Sequence, residues 1–447
     1  MLSPSEAQAR AAALVEAATR AGADAADALY VGEASTEVGV RLGQLEEVGR
    51  SEGEEIGLRL FFGPKVASVS SSDLSREALG ALVERAAAMA REASPDQYAG
   101  LAPEALLFRG PLPDLQSNDG GDPAPTALRE RALEAEDAAR AVAGVTNSEG
   151  ASASAGRSVV ALATSAGFSG AYSTTGYGLS ASVLAGTGGE MQRDYEYSST
   201  RHQADLDSPA EVGRIAGERA VRRLGAQPIP NGALPVIFDP RVASSLLGHL
   251  TGAITGGAVA RGTSFLLGKL GERIFAPGIR VLDDPLRMRG LRSKPFDGEG
   301  MATAARALID DGHLTTWLLD SASARQLGMQ PTGHATRGTS GPPGASATNL
   351  WLEAGTASPA ELMDVPDGLY ITELIGQGLN PITGDYSRGA SGFRVSRGEL
   401  AAPFQEVTIA GNILDMFAGL APANDLEFRR GVDSPTVRID GMTAASA

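Results

Sequence analysis

Cysteine is absent from all 447 residues. That excludes disulfides, thiolate metal sites and cysteine nucleophiles together, since each needs a sulfur atom. It also fits a reducing, cytoplasmic compartment. Lysine is scarce: it stands only at 65, 269 and 294, so arginine carries nearly all the positive charge. Acidic residues outnumber basic ones by 54 to 38, giving a formal net charge of −16. No basic run offsets this, and an acidic surface repels a phosphate backbone. Nucleic acid is therefore not expected as a direct partner. Only four histidines occur, at 202, 249, 313 and 334, and no two lie three to five residues apart. Two histidines therefore cannot share one helical face as zinc ligands. Walker A, dinucleotide and G-x-S-x-G motifs are also missing. Gly376-Gln377-Gly378 is a lone glycine pair without the strand–helix setting a phosphate loop requires.

Long apolar runs are equally rare. Val242 to Ala260 carries no charge and is long enough to span a bilayer. It also holds Ser244, Ser245, His249, Thr251 and Thr255, so a buried, glycine-rich helix and loop is expected and no membrane span. Met1 to Arg20 places Glu6, Arg10, Glu16 and Arg20 at helical spacing with no uninterrupted apolar stretch, and no signal peptide is expected. What remains, 43% apolar and 21% charged, is an ordinary globular composition able to bury a core.

The pattern predicts an α+β fold of two domains. An N-terminal α/β domain covers 1–226, with an internal linker about 107–126 rich in Pro, Gly, Asp and Asn. Ser5–Ala21 reads as an amphipathic helix capped by Ser3 or Ser5. Short strands follow at Ala26–Tyr30, Thr36–Leu42, Ile56–Phe62 and Lys65–Ser70, the last two joined by a Gly63-Pro64 turn. Helices are predicted at Asp73–Arg91 (capped by Ser72 or Asp73), Ala127–Ala143 and Pro209–Leu224, around a strand-rich stretch from Val145 to Tyr197. Gln227 to Gly232 breaks the chain. A β-rich C-terminal domain covers 233–447, opening with a strand at Leu234–Phe238 and a helix started by Pro240 that carries His249. The Gly/Pro/Ser/Thr run from Arg337 to Thr348 reads as a mobile loop. His313 and His334 read as loop histidines. The acidic clusters Asp283-Asp284 and Asp297-Gly298-Glu299-Gly300 read as solvated turns, since a dedicated hard-metal site needs six or more converging oxygens.

The densest polar stretch is Thr383-Gly384-Asp385-Tyr386-Ser387-Arg388. It reads either as a β-turn with a local Asp–Arg pair or as a loop presenting backbone groups and Arg388 to a peptide or a partner subunit.

The order of motifs in the second half resembles one family. Phe238-Asp239-Pro240, Gly248-His249-Leu250-Thr251-Gly252, Pro295-Phe296-Asp297-Gly298-Glu299-Gly300, Thr332-Gly333-His334-Ala335, Ile382-Thr383-Gly384-Asp385-Tyr386-Ser387-Arg388-Gly389-Ala390 and Thr408-Ile409-Ala410-Gly411-Asn412 together resemble the TldD/PmbA metallopeptidase family (peptidase family U62), on its PmbA/TldE branch. The resemblance implies a heterodimer of TldD-like and TldE-like subunits around an internal cavity. The TldD branch carries His-Glu-x-x-x-His and a distal Cys as zinc ligands and cleaves unfolded or small peptides. Aligned on that motif, Ser244 stands at the first His and Ser245 at the Glu, and only His249 survives. The resemblance thus implies a pseudoenzyme subunit with no catalytic residue, no metal and no cofactor of its own, and zinc in a TldD-like partner. Such a subunit would close the chamber and help hold unfolded peptide; without a TldD-like partner a homodimer is expected. Two alternatives remain: a self-sufficient metallopeptidase with an unrecognised site, and a non-enzymatic peptide-binding or regulatory protein like a DNA gyrase modulator.

Overall fold

The computed structural model describes residues 1–446. It has a mixed α+β architecture. The first helix, α1 (Pro4–Arg20), starts on a capping box between Ser3 and Glu6, which satisfies two N–H groups that the first turn leaves open. Its small side chains, Ala7, Ala11 and Ala18, are fully buried against the sheet that follows.

That sheet opens with two strands far longer than the sequence predicts. β1 (Ala25–Arg41) and β2 (Gln44–Phe62) form one hairpin, paired from Ala25↔Phe61 to Arg41↔Gln44. The turn is Leu42-Gly43, both with positive φ, the conformation that suits a two-residue hairpin loop. Most side chains of Gln44–Gly53 are exposed on both faces. The half-buried alternation that marks a strand is therefore absent there, which is why only the ends read as strands. β3 (Lys65–Ser71) follows. α2 (Arg76–Glu92) is capped by Ser75 rather than by Ser72 or Asp73; Asp73 instead accepts the Ser75 N–H at 2.8 Å. After a long irregular segment come α3 (Pro125–Arg140), β4 (Val145–Thr164), β5 (Ser169–Ala185), β6 (Gln192–Thr200) and α4 (Pro209–Arg222). The six strands form one antiparallel sheet in the order β3-β2-β1-β4-β5-β6.

The period of two along β1 separates the sheet faces. Ala26, Ala28, Tyr30, Val38 and Val40 join the cores beneath the four helices. Leu29 points the other way and packs with Leu162, Phe168, Phe296 and Met301. The C-terminal part of the chain packs on this second face through Phe296 and Met301.

The C-terminal part is built on β7 (Gly232–Phe238), followed by α5 (Pro240–Ile254) and α6 (Gly256–Ala260). A small sheet collects β8 (Val281–Asp283), β9 (Arg306–Asp310), β10 (His313–Leu314), β13 (Leu350–Leu352) and β18 (Val432–Asp433); β11 (Ala335–Thr336) pairs with β12 (Gly344–Ala345). The larger sheet has β14 (Asp367–Ile375), β15 (Asp385–Ser396), β16 (Glu399–Asn412), β17 (Ala421–Pro422) and β19 (Val437–Ser446), in the order β16-β15-β14-β7-β19-β17. β16 also pairs with β19, so five of these strands close on themselves. Its interior holds Val236, Leu369, Ile371, Ile409 and Ile439 within the largest core. No described helix is long and apolar enough to cross a membrane.

Two expectations fail among the buried polar residues. The Arg337–Thr348 run begins with an anchored residue: the Arg337 side chain is 1% exposed and its Nη1 meets Asp27 Oδ1 at 2.5 Å. Arg59 Nε donates to the other Asp27 oxygen at 3.0 Å, and the Thr339 hydroxyl bonds Glu55. The acidic turns are not solvated either. Asp283, Asp297 and Glu299 are buried. Asp297 accepts the backbone N–H groups of Glu299, Met301 and Ala335, and Glu299 accepts the Ser321 N–H and hydroxyl. His334 is a hydrogen-bonded loop histidine, as expected; it is buried, with Nδ1 2.8 Å from the Thr332 hydroxyl and Nε2 3.3 Å from Asp283. A sequence marks such residues as polar but does not reveal that they bond one another.

Burial pushes the Glu299 carboxyl up to about 7; the Ser321 hydrogen bonds and Arg59 oppose the shift, and Asp297 adds to it. An acid raised in the fold keeps its proton there while the unfolded chain has lost its own. The resulting penalty grows as pH rises from the unfolded value of 4.5 to about 7 and is complete above. Glu299→Gln keeps an acceptor for Ser321 and removes the penalty. The variant should gain ~1–3 kcal/mol over wild type at pH 8 and much less at pH 5. Chemical denaturation at both pH values checks this, and a pH-independent difference would refute it.

Candidate functional site

α5 carries the sequence-predicted residues Ser244, Ser245 and His249. Asp239 caps it by accepting the Arg241 N–H at 2.9 Å, and Pro240 holds the first turn. Ala243, Leu246, Leu247, Leu250 and Ile254 bury one stripe in the core. The Ser244 hydroxyl bonds the Arg241 carbonyl at 3.4 Å and the Ser245 hydroxyl bonds the Val242 carbonyl at 2.6 Å. Both are satisfied within their own helix. His249 is half-buried, and its Nε2 is fully covered without a hydrogen-bond partner.

β15 supplies the second group, and its alternation divides the predicted loop. Thr383, Gly384 and Asp385 build the turn itself. The Thr383 hydroxyl donates to Asp385 at 2.7 Å, Gly384 N–H to the Asn380 carbonyl at 2.9 Å, and Asn412 Nδ2 to the Thr383 carbonyl at 3.1 Å. Ser387 is exposed on the same face as Asp385. Tyr386 and Arg388 take the opposite face. No Asp385–Arg388 ion pair forms. Tyr386 is 1% exposed and meets the His249 ring edge-on, with centroids 5.8 Å apart. The Tyr386 hydroxyl and the Arg388 Nε are both buried without a well-formed hydrogen bond. Burial pushes the Tyr386 phenol up to about 12, with Arg388 opposing, so it stays protonated and can donate. Burial and then Arg388 hold the His249 imidazole below its ordinary range, so the ring is neutral at pH 7.

Gly378 explains how Arg388 is held. A Cβ there would lie 2.0 Å from the Ser387 carbonyl oxygen and 2.4 Å from Arg388 Cγ. Only glycine lets the Gly376–Gly378 turn lie against the arginine stem.

The N-terminal sheet completes the site with residues that sequence reasoning missed. Asp194 and Tyr195 of β6, together with Arg223 just after α4, line a cavity of about 280 Å³ with Arg241, Ser245 and Arg388. Arg241 meets Asp194 at 2.9 Å, and Arg223 meets Asp194 at 3.6 Å and Glu373 at 2.6 Å. These partners lie up to 150 residues apart, and only the folded chain brings them together.

Three family models match this chain: PmbA/TldA metallopeptidase domain 1 over residues 26–90, the central domain over 118–224 and the C-terminal domain over 231–446. The metalloprotease PmbA of Escherichia coli O157:H7 is 39% identical over 412 residues, 91% of this chain and 89% of that one. The chain belongs to the PmbA/TldD metallopeptidase family. A PmbA metalloprotease homolog from Haemophilus influenzae is 36% identical over 96% of this chain and 93% of its own. Among solved structures, a proposed DNA gyrase modulator from Bacteroides thetaiotaomicron superposes with TM-score 0.90 and 26% identity, over 99% of both chains. TldE from Thermococcus kodakarensis shares the fold at TM-score 0.87 and 20% identity, over 97% of this chain and 99% of that one.

The family name implies a metal, and the residues at the aligned position do not fit one. Hydrolytic zinc needs three protein ligands, here His, Asp, Glu or a thiolate. α5 offers one imidazole, two serines bonded to their own helix, and a neighbouring guanidinium. No group of three or more His, Asp or Glu able to hold a metal occurs among the described residues. A fixed cation beside His249 opposes a dication there.

Proposed function

We propose that this chain is the non-catalytic subunit of a cytoplasmic TldD/TldE-type metalloprotease. It closes the chamber and helps hold unfolded peptide, while a TldD-like partner carries the zinc. The observation that carries the reading is Arg388 beside His249. The family position that should attract Zn²⁺ is instead cationic. Ile375 and Ile382, 59% and 61% exposed, flank the turns next to this site and offer apolar surface to a partner subunit.

The test is to rebuild the motif. Ser244→His with Ser245→Glu restores His-Glu-x-x-x-His ending on His249. The subunit reading expects no chelator-sensitive peptide cleavage from this double variant alone. Two imidazoles fall short of three ligands, and the introduced carboxylate enters the cavity that holds Arg388 and pairs with it. Zinc content and peptide turnover are the measurements. Stoichiometric zinc with robust turnover would mean that a third ligand waits in this chain and that the self-sufficient enzyme is the right reading.

A further inference from the structure

The cavity that does not fit zinc fits an anion. Its lining holds four guanidinium groups, Arg193, Arg223, Arg241 and Arg388, against two carboxylates, Asp194 and Glu373. Both carboxylates are already engaged, Asp194 by Arg241 and Arg223, and Glu373 by Arg223. Arg193 reaches outward to Glu149 at 3.6 Å. Arg388 makes no ion pair among the described residues; it lies within reach of the Tyr386 hydroxyl, and its Nε is buried without a well-formed hydrogen bond. Arg241 is further held by Asp239 at 3.4 Å, so Arg388 alone of the four guanidiniums lacks an ion pair among the described residues, and a half-buried guanidinium without a counter-ion is an incomplete arrangement.

The surroundings say which anion. Guanidinium matches a planar carboxylate through two parallel hydrogen bonds. The Tyr386 hydroxyl, buried outside the cavity lining, stands behind Arg388 within reach of its guanidinium. β14 pairs with β7 only as far as Ile371↔Phe238, because the chain then turns into α5. Beyond it, Thr372 sits in a bulge and Glu373–Ile375 is paired on the β15 side alone. Its other edge opens beside the cavity and presents free backbone groups, the kind of edge that receives an extended peptide. About 280 Å³ gives room for the end of a chain rather than its length.

We propose that this cavity is a carboxylate site in which Arg388, backed by Tyr386 and His249, receives the C-terminal carboxylate of a peptide lying along Glu373–Ile375. The site lies beside the lost zinc motif, which lines it through Ser245. It deepens the subunit reading and rests on it for the peptide.

Binding to the full chain alone is measured by calorimetry with three probes: acetyl-Ala-Ala-Ala with a free carboxylate, the same peptide as its C-terminal amide, and acetyl-Ala-Ala-Asp amide. The free acid should bind ~10–100-fold more tightly than the amide, the scale of a hydrogen-bonded charge pair. Arg388→Gln should reduce that ratio to under ~3-fold, and Arg388→Lys should keep part of it, since a point charge lacks the fork. Circular dichroism shows that each variant is folded. Equal binding of acid and amide overturns the proposal, as does a preference that survives Arg388→Gln or no binding of any probe. Asp-amide binding as tight as the free acid would overturn the terminus assignment in favour of acidic side chains. The assay needs neither zinc nor partner. Its failure therefore leaves the subunit reading intact, and failure of a mixed-subunit peptidase assay leaves this site intact.

Discussion

Asp27→Ala is expected to lower stability by ~3–5 kcal/mol, the usual cost of leaving a buried charge without its counter-ion. Asp27 is 1% exposed and bonds two guanidiniums, Arg59 from β2 and Arg337 from the C-terminal part. Burial works against its charge, yet Arg337 and Arg59 hold its carboxyl below the usual range. Removing it strands two buried cations. Arg337 is the more exposed to this loss, since its Nε and Nη2 already lack partners. Arg337→Met should be milder, and the double variant should recover part of the Asp27→Ala loss because one stranded charge is gone. Urea denaturation midpoints measure all three. A loss under ~1 kcal/mol for Asp27→Ala would mean that water reaches the cluster.

Gly57→Ala should be comparably severe although it adds a single methyl. A Cβ at Gly57 would lie 1.8 Å from the Thr339 carbonyl oxygen. That contact is backbone against backbone, so no side chain can rotate away. The strand and the Arg337–Thr348 run must separate, which withdraws Arg337 from Asp27. Overpacking alone typically costs ~1–3 kcal/mol, and the lost ion pair adds to it, so ~3 kcal/mol or more is expected. Limited proteolysis should show new cleavage between residues 337 and 348. A variant with wild-type stability and no new cleavage would show that this contact is not maintained in solution.

These residues mark where sequence reading succeeds and where it stops. α1, α2 and α4 are legible because alanine and aliphatic residues recur at helical spacing behind a Ser start signal, joined by Pro in α1 and α4. The full length of the β1–β2 hairpin is not, because the outer half of β2 is exposed on both faces and the Leu42-Gly43 turn lacks the usual Asn or Asp. Arg337 lay in a stretch of loop-forming residues, and composition says nothing about where such a stretch docks. Asp283, Asp297 and Glu299 looked like surface turns because acidic residues usually are solvated. Here each meets buried donors from distant segments.

The candidate site was half visible. His249 and Arg388 stood in motifs that carried the family resemblance. The alternation that turns Tyr386 and Arg388 inward and leaves Asp385 in the turn needed the strand. Asp194 and Arg223 needed the domain contact. Sequence also grouped Thr383 to Arg388 as one element, whereas the fold gives its two halves different work.

This chain is proposed to complete a protease without carrying its metal. The most direct measurement mixes the purified, chelator-treated chain with a zinc-loaded TldD-like subunit from the same genome and follows cleavage of an unfolded peptide. The expected result is no cleavage by this chain alone with zinc supplied, a stable one-to-one complex, and chelator-sensitive cleavage only in the mixture. Zinc-dependent cleavage by this chain alone, abolished by His249→Ala, would contradict it.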